Sequence, residues 1–172
     1  MTNIILIFGI KLKKNLIMID LLQFKRNAKS RDLCRLYTDM WNSCKSKEDL
    51  VRMASDSNGA LYMCESITEK WGLSSEYIKE NFEGYCEGQP IKQRGYNSCM
   101  LCEYNGTYTN SNTIMLVINS TCDIVLDTKV CEIFVCDNSH INIINNNNNQ
   151  ASIHLFGNST CNNCIGVEIK KE

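Results

Sequence analysis

In the last third of the chain, apolar and polar residues alternate in short bursts separated by Asn-, Asp- and Ser-rich breaks every nine or ten residues. The bursts are Cys122 to Leu126, Cys131 to Val135, Ile141 to Asn145, Ala151 to Leu155 and, after a longer gap, Ile165 to Ile169. Side chains alternate across a strand, so the first, third and fifth places of each burst share one layer. The pattern therefore predicts that Ile124, Ile133, Ile143, Ile153 and Val167 are buried and stacked, while Asp123, Glu132, Asn142, Ser152 and Glu168 are exposed. Between the bursts lie Asp127 to Lys129, Asp137 to Ser139, the Asn145 to Asn149 run and Gly157 to Thr160. Asn, Asp and Gly tolerate left-handed backbone and bond locally to it, so these segments read as turns.

A fixed period means stacked units, each needing its neighbour to bury an apolar row. One unit holds a strand and a turn, so two units would close a coil of a flattened β-solenoid or β-roll. An antiparallel meander fits the same spacing; the recurring turn composition favours the solenoid. Upstream, Cys99 to Tyr104 reads as a strand, Asn105-Gly106 as a two-residue hairpin turn, and Ile114 to Ile118 as a further strand.

The segments Asp137-Asn-Ser-His-Ile-Asn-Ile and Gly157-Asn-Ser-Thr resemble the "GNSxVxA" repeats of uncharacterised proteins from bacteriophages, prophages and gut Bacteroidetes. The resemblance covers about a third of the chain. It implies a β-solenoid shape and a phage or mobile-element provenance, and carries no activity or functional residue with it. The chain departs from the repeat where the Asn run replaces one unit, and where Thr160 leads into Cys161 and Cys164 rather than a Val-x-Ala strand.

The front half has helical spacing. Leu33, Leu36, Tyr37, Met40, Trp41 and Cys44 make one apolar face behind a Ser30 cap. Ser46-Lys-Glu-Asp49 resembles a capping box and opens a helix carrying Leu50, Val51, Met53 and Ala54, which should end before Asn58-Gly59. Leu61, Cys64, Ile67 and Trp71 form a third helix, closed by Gly72. Ser74 caps a fourth, with Leu73 stapled onto Ile78 and with Tyr77 and Phe82 on the same side. The expected organisation is α+β: a basic leader over 1–29, a helical bundle over 30–83, a Gly/Pro linker over 84–95 and a β-repeat module over 96–172.

Charge changes this picture little. The 172-residue chain has a net charge of −1, which argues against a general polycation for nucleic acid. Lys11, Lys13, Lys14, Lys25, Arg26, Lys29, Arg31 and Arg35 nevertheless face only Asp20 and Asp32 in the leader. That stretch reads as a solvated arm, with nucleic acid or anionic lipid as the weaker reading. Eleven cysteines at irregular spacing do not form a disulfide framework, so the chain reads as a reduced, cytoplasmic protein. The apolar run Ile4 to Ile10 is too short to span a membrane, and Met18 offers an internal start. Three glycosylation-type triplets, at Asn105, Asn119 and Asn158, read as products of Asn- and Thr-rich composition.

Candidate chemistry is sparse. Cys99-Met-Leu-Cys102 and Cys161-Asn-Asn-Cys164 are two CxxC pairs, but 58 residues separate them, far more than the roughly 15 to 20 of zinc ribbons. Cys99 and Cys102 should moreover face opposite sides of a strand. His140 and His154 both fall in outward places, and a site joining His154 to Cys161 and Cys164 is the only histidine constellation the sequence offers. Asp123 with Asp127 and Glu132 with Asp137 are carboxylate pairs better read as solvated charges. No phosphate loop, nucleophile elbow, metalloprotease or dinucleotide motif is present. No catalytic, cofactor or metal residue is assigned, and neither a membrane nor a small-molecule substrate is implied. The expected function is non-enzymatic binding or assembly through the β-repeat surface, as a virion component or an inhibitor of a host protein. The competing reading is a zinc-stabilised nucleic-acid-binding regulator using the basic leader. Thr113 to Ile118 is an uncharged run that either the helices or a second copy must cover, and the sequence favours self-association slightly.

Overall fold

The computed structural model describes residues 26, 27, 39, 40 and 42–172. The leader and most of the first expected helix lie outside the described residues. Within them, α1 (Lys47–Ala54) opens with the anticipated box: the Ser46 hydroxyl accepts from the Asp49 amide at 3.1 Å, and Asp49 Oδ2 accepts from the Ser46 amide at 3.0 Å. α2 (Ser57–Thr68) begins earlier than expected, taking Asn58-Gly59 into its first turn. Asp56 is the cap that makes this work, accepting from the Gly59 amide at 2.8 Å. Gly59 is required because a Cβ there would run into the Met53 carbonyl oxygen at the end of α1. α3 (Ser75–Phe82) is capped by Ser74 as expected, and Leu73 and Ile78 bury in one core.

Ten strands follow: β1 (Ile91–Lys92), β2 (Asn97–Cys102), β3 (Asn105–Asn110), β4 (Ile114–Ile118), β5 (Thr121–Leu126), β6 (Val130–Cys136), β7 (His140–Ile144), β8 (Gln150–Leu155), β9 (Thr160–Asn162) and β10 (Glu168–Lys171). They form two sheets, ordered β1-β2-β4-β6-β8-β10 (sheet A) and β3-β5-β7-β9 (sheet B). Each coil contributes one strand to each sheet, and β2 through β9 make about four turns of a β-solenoid. Apart from antiparallel β1, every pairing is parallel, and β5 pairs with β7 rather than with β6, which a meander would require.

The repeat is in the expected register for four of its five units. Ile124 lies opposite Ile143 in sheet B and Ile133 opposite Ile153 in sheet A, all at most 3% exposed. The fifth unit is shifted: Ile169, not Val167, lies opposite Ile153. A loop closed by a Cys161–Cys164 disulfide and turned by Gly166 (φ +75°) uses up the residues that would have continued the strand. Ile165 is left 85% exposed, and Val167 packs only partly against the interior. Asp123, Glu132, Asn142 and Ser152 are half-buried rather than exposed, while Glu168 is exposed.

Asn105-Gly106 does not form a hairpin. It opens β3, which lies in the other sheet from β2, and the bend between them uses Glu103 at φ +52°. At the following corners the chain repeats Asn-Ser-polar: Asn119-Ser120-Thr121, Asn138-Ser139-His140 and Asn158-Ser159-Thr160. Asn119 and Asn138 take positive φ, and the three serines are buried. The Ser120 hydroxyl accepts from Tyr104 N at 3.0 Å and donates to Ile118 O at 2.7 Å. Ser139 repeats this one coil later, accepting from Ser120 N at 3.1 Å and donating to Cys136 O at 2.6 Å. In the Asn119 triplet the Ser120 hydroxyl thus takes part in the corner, whereas the hydroxyl of Ser159 in the Asn158 triplet is buried without a hydrogen-bond partner.

On the opposite corner, Asn145 closes the Asn run, accepting from Asn149 N and donating to Asn149 O, each at 2.9 Å. Asn110 and Asn112 make the same reciprocal contact two coils earlier on that side. The run is a turn, as its composition predicts.

Between the sheets lies an interior core of Leu101, Met115, Val117, Ile124, Leu126, Ile133, Val135, Ile141, Ile143 and Ile153. A second core covers the outer face of sheet A, where Ala60, Met63, Cys64, Ile67 and Ile78 of the helices meet Met100, Leu116, Ile118 and Phe134. Thr113 to Ile118 is therefore not an end of the β module. β4 lies inside sheet A, with Met115 and Val117 in the interior and Ile114, Leu116 and Ile118 in the core shared with the helices, so the run gives no reason for a second copy. Residues 84–95 line the first edge of sheet A through the Glu87–Leu101 bridge and β1.

Candidate interaction surface

The two sheets differ in what their outer faces carry. Sheet A is apolar on its inner face and, over β2, β4 and part of β6, on its outer face too, where the helices lie; β8 and β10 turn Ser152, His154, Glu168 and Lys170 outward. Sheet B strands alternate, as in Thr121-Cys-Asp-Ile-Val-Leu126, and put Cys122, Ile124 and Leu126 inside. Parallel register then aligns the outward residues into rows: Asn105, Thr121, His140 and Thr160; Thr107, Asp123, Asn142 and Asn162; and Thr109, Val125 and Ile144. Neighbours within a row lie about 4.8 Å apart and adjacent rows about 7 Å apart.

Hydrogen bonds within the rows fix several of these side chains. His140 Nδ1 lies 2.8 Å from Thr160 Oγ1, and Asn142 Nδ2 donates to Asp123 Oδ1 at 3.0 Å. The third row adds a half-buried apolar strip, Val125 and Ile144, beside the polar ones. A fixed polar array next to an apolar strip can dock another surface with little loss of side-chain freedom.

His140 therefore faces out, as expected. His154 points out of the solenoid too, but from sheet A, and the helical layer leaves it only 9% exposed. Its ring stacks on Phe134 at 4.6 Å, and Nδ1 lies 3.1 Å from Glu172 Oε1. Nε2 is 3.9 Å from Glu132 Oε1, too far for a hydrogen bond, while Glu132 Oε2 accepts from the Ser57 hydroxyl at the start of α2, at 2.7 Å. Ser57, Glu132, His154 and Glu172 thus tie the helical cover to β6, β8 and the C-terminal residue. Sequence reasoning missed this cluster because its four residues come from separate parts of the chain that no spacing links.

The cysteine pairs do not meet as a four-thiolate set. Cys99 lies in the interior core and Cys102 in the core beneath the helices, as their spacing requires. Cys161 and Cys164 are bonded to each other in the last loop, which departs from the fully reduced reading. Cys161 belongs to sheet B and His154 to sheet A, so these do not combine either. No group of three or more His, Cys, Asp or Glu residues placed to hold a metal occurs among the described residues. Glu132 lies near the start of β6 and Asp137 in the corner just past its end, roughly 16 Å along the chain, and Asp123 bonds Asn142.

A groove of about 510 Å³ crosses the starts of β4, β6, β8 and β10, lined by Thr113, Val130, Glu132, Gln150, Ser152 and Glu168 among others. Its wall is partly apolar, with Val130 55% exposed. Among the described residues, no helix is long and apolar enough to cross a membrane. No family model matches the chain, and no curated protein or solved structure does so either.

Proposed function

We propose that the chain is a non-enzymatic binding or assembly protein, of phage or mobile-element origin, that engages a protein partner through the outer face of sheet B. The observation that carries this reading is the asymmetry of cover. Over β2, β4 and β6 the outer face of sheet A is covered by the chain's own helices, whereas the register-aligned face of sheet B is overlain by nothing among the described residues: its first row is exposed throughout, and in its second Thr107 and Asn162 are exposed while Asp123 and Asn142 are half-buried. In this reading the helices α1 to α3 serve as the cover over β2, β4 and β6, which leaves sheet B as the platform. Provenance is supported by the resemblance noted above, whose two segments occupy equivalent corners of successive coils: Thr160 N donates to Ser139 O at 2.9 Å and Asn158 Nδ2 to Asn138 Oδ1 at 3.3 Å.

The platform is small, four strands wide and about 17 Å long. A stable interface removes about 800 Å² from each partner, so the partner also reaches over a corner or onto the β9 end, or binds transiently. The test is a photoreactive side chain installed at Thr107 or Asn142, with Glu80 on the exposed side of α3 as control. Adducts to a second polypeptide, or to a second copy, are expected from the two sheet positions and not from the control. Adducts confined to Glu80 overturn the proposal.

A further inference from the structure

Outside the platform, the described residues hold an unusual number of buried thiols, and two of them sit directly across a strand pair. Glu87 and Leu101 form an antiparallel bridge, Cys102 N donates to Cys86 O at 2.9 Å, and Gly88 N donates to Met100 O at 2.9 Å. That ladder places Cys86 opposite Cys102, one position along from the bridge, with both side chains in the core beneath the helices. Opposed residues of this kind have Cα atoms about 5.5 Å apart, within the roughly 4.4–6.8 Å span that a disulfide requires.

We propose that Cys86 and Cys102 form a thiol–disulfide exchange site that closes to a disulfide with a small-molecule disulfide as oxidant. The surroundings divide the labour. The Cys102 S–H, hydrogen-bonding to Cys86, holds the Cys86 thiol below its ordinary value despite burial, helped by the charge of Lys79. The same contact, with burial, pushes Cys102 up. Cys86 lies on the edge segment, directly after the Glu83–Tyr85 turn, and Cys102 on β2 behind it, so opening that turn presents Cys86 first: it is the attacking sulfur and Cys102 the resolving one. Cys86 thiolate attacks one sulfur of the oxidant, forming a mixed disulfide and releasing one small thiolate. Cys102 gives its proton to solvent and attacks the Cys86 sulfur, which expels the second. Two protein thiols and one small disulfide become one protein disulfide and two small thiols, so the electrons balance.

Both thiols are fully buried, so exchange requires the Glu83–Tyr85 turn to open, and the exposed Glu83, Gly84 and Glu87 lie on the solvent side of that segment. Closure would fasten the segment that covers the first edge of sheet A, an edge otherwise open to pairing with other strands.

The experiment incubates the full chain in mixtures of oxidised and reduced glutathione, quenches with an alkylating reagent and maps the digest by mass spectrometry without reduction. A linked pair of peptides carrying Cys86 and Cys102 is expected, with a rise in Tm of roughly 6–12 °C that dithiothreitol reverses. Cys102→Ser should retain one glutathione on Cys86, an adduct the wild type resolves, and Cys86→Ser should leave Cys102 unmodified. The proposal fails if Cys86 and Cys102 are both alkylated under conditions that keep Cys161 bonded to Cys164. It fails equally if the pairing found is Cys64 with Cys136, or if the trapped glutathione sits on another cysteine. Should a serine variant not fold, the wild-type map decides alone.

Discussion

Replacing Ser139 with alanine removes one hydroxyl from the centre of the corner ladder. Ser139 is 0% exposed, and its oxygen both accepts from Ser120 N at 3.1 Å and donates to Cys136 O at 2.6 Å. The two losses are unequal. Cys136 O still accepts from Asn119 N at 3.2 Å and from Ser139 N at 3.3 Å, so it keeps partners. Ser120 N has no substitute acceptor in the ladder and would be left buried and unsatisfied. An unpaired buried donor costs about 1–3 kcal/mol, whereas the hydroxyl itself takes little room. Ser139→Ala should therefore destabilise by about 2 kcal/mol, or about 4–8 °C in Tm for a chain of this size. Urea unfolding followed by circular dichroism measures it, with the slope unchanged and the midpoint lowered. Ser111→Ala, at an exposed turn position, should shift stability by less than about 0.5 kcal/mol. A Ser139→Ala cost within that same small range would refute the ladder.

Within the Asn run, Asn147→Ser should be silent because Asn147 is exposed, whereas Asn145→Ser should cost about 1 kcal/mol through loss of the Asn149 contacts; equal effects in urea unfolding would contradict the loop geometry. Gly88→Ala should destabilise by about 2–4 kcal/mol, since Gly88 holds φ +85° and a Cβ would enter the Tyr108 ring; a neutral result would refute the close packing of that segment. Burial pushes the thiol of Cys99 up to about 12 and those of Cys122 and Cys131 up to about 11. The unfolded chain then loses these protons first, so stability is full below about pH 9 and falls as pH rises through 11 to 12. A urea midpoint that stays flat from pH 8 to 11 would contradict this burial.

The residues show why some of this was legible and some was not. Alternation at Cys122 to Leu126, and in the three bursts after it, was enough to place four inward rows, because a period of two leaves no freedom about which residue faces in. The same logic misled at Ile165 to Ile169, where a disulfide-closed loop moved the register by two residues. The helical cover was also written in the chain. Cys99-Met-Leu-Cys102 and Ile114-Met-Leu-Val-Ile118 are continuously apolar, the mark of strands buried on both faces, while the strands of sheet B alternate. Over β2 to β5 continuous and alternating strands follow one another in turn, as coils shared between two sheets require, whereas β6 and β8 of sheet A alternate as well. The Asn-Ser corners were visible as strings at a spacing of 19 to 20 residues, the true coil period, but their meaning depends on a hydroxyl meeting the amide of the coil before it. The exposed platform on sheet B is readable only once the register is known, since its rows join residues from four separate strands.

Everything above rests on alternate strands being parallel partners. Backbone nuclear Overhauser effects on isotope-labelled protein test that pairing without perturbing it. The fold predicts amide contacts linking Asp123 with Asn142 in sheet B and Ile133 with Ile153 in sheet A, and none joining β5 to β6 across their length. Contacts running antiparallel between β5 and β6 would instead establish a meander, dissolve the rows of sheet B and remove the proposed platform with them.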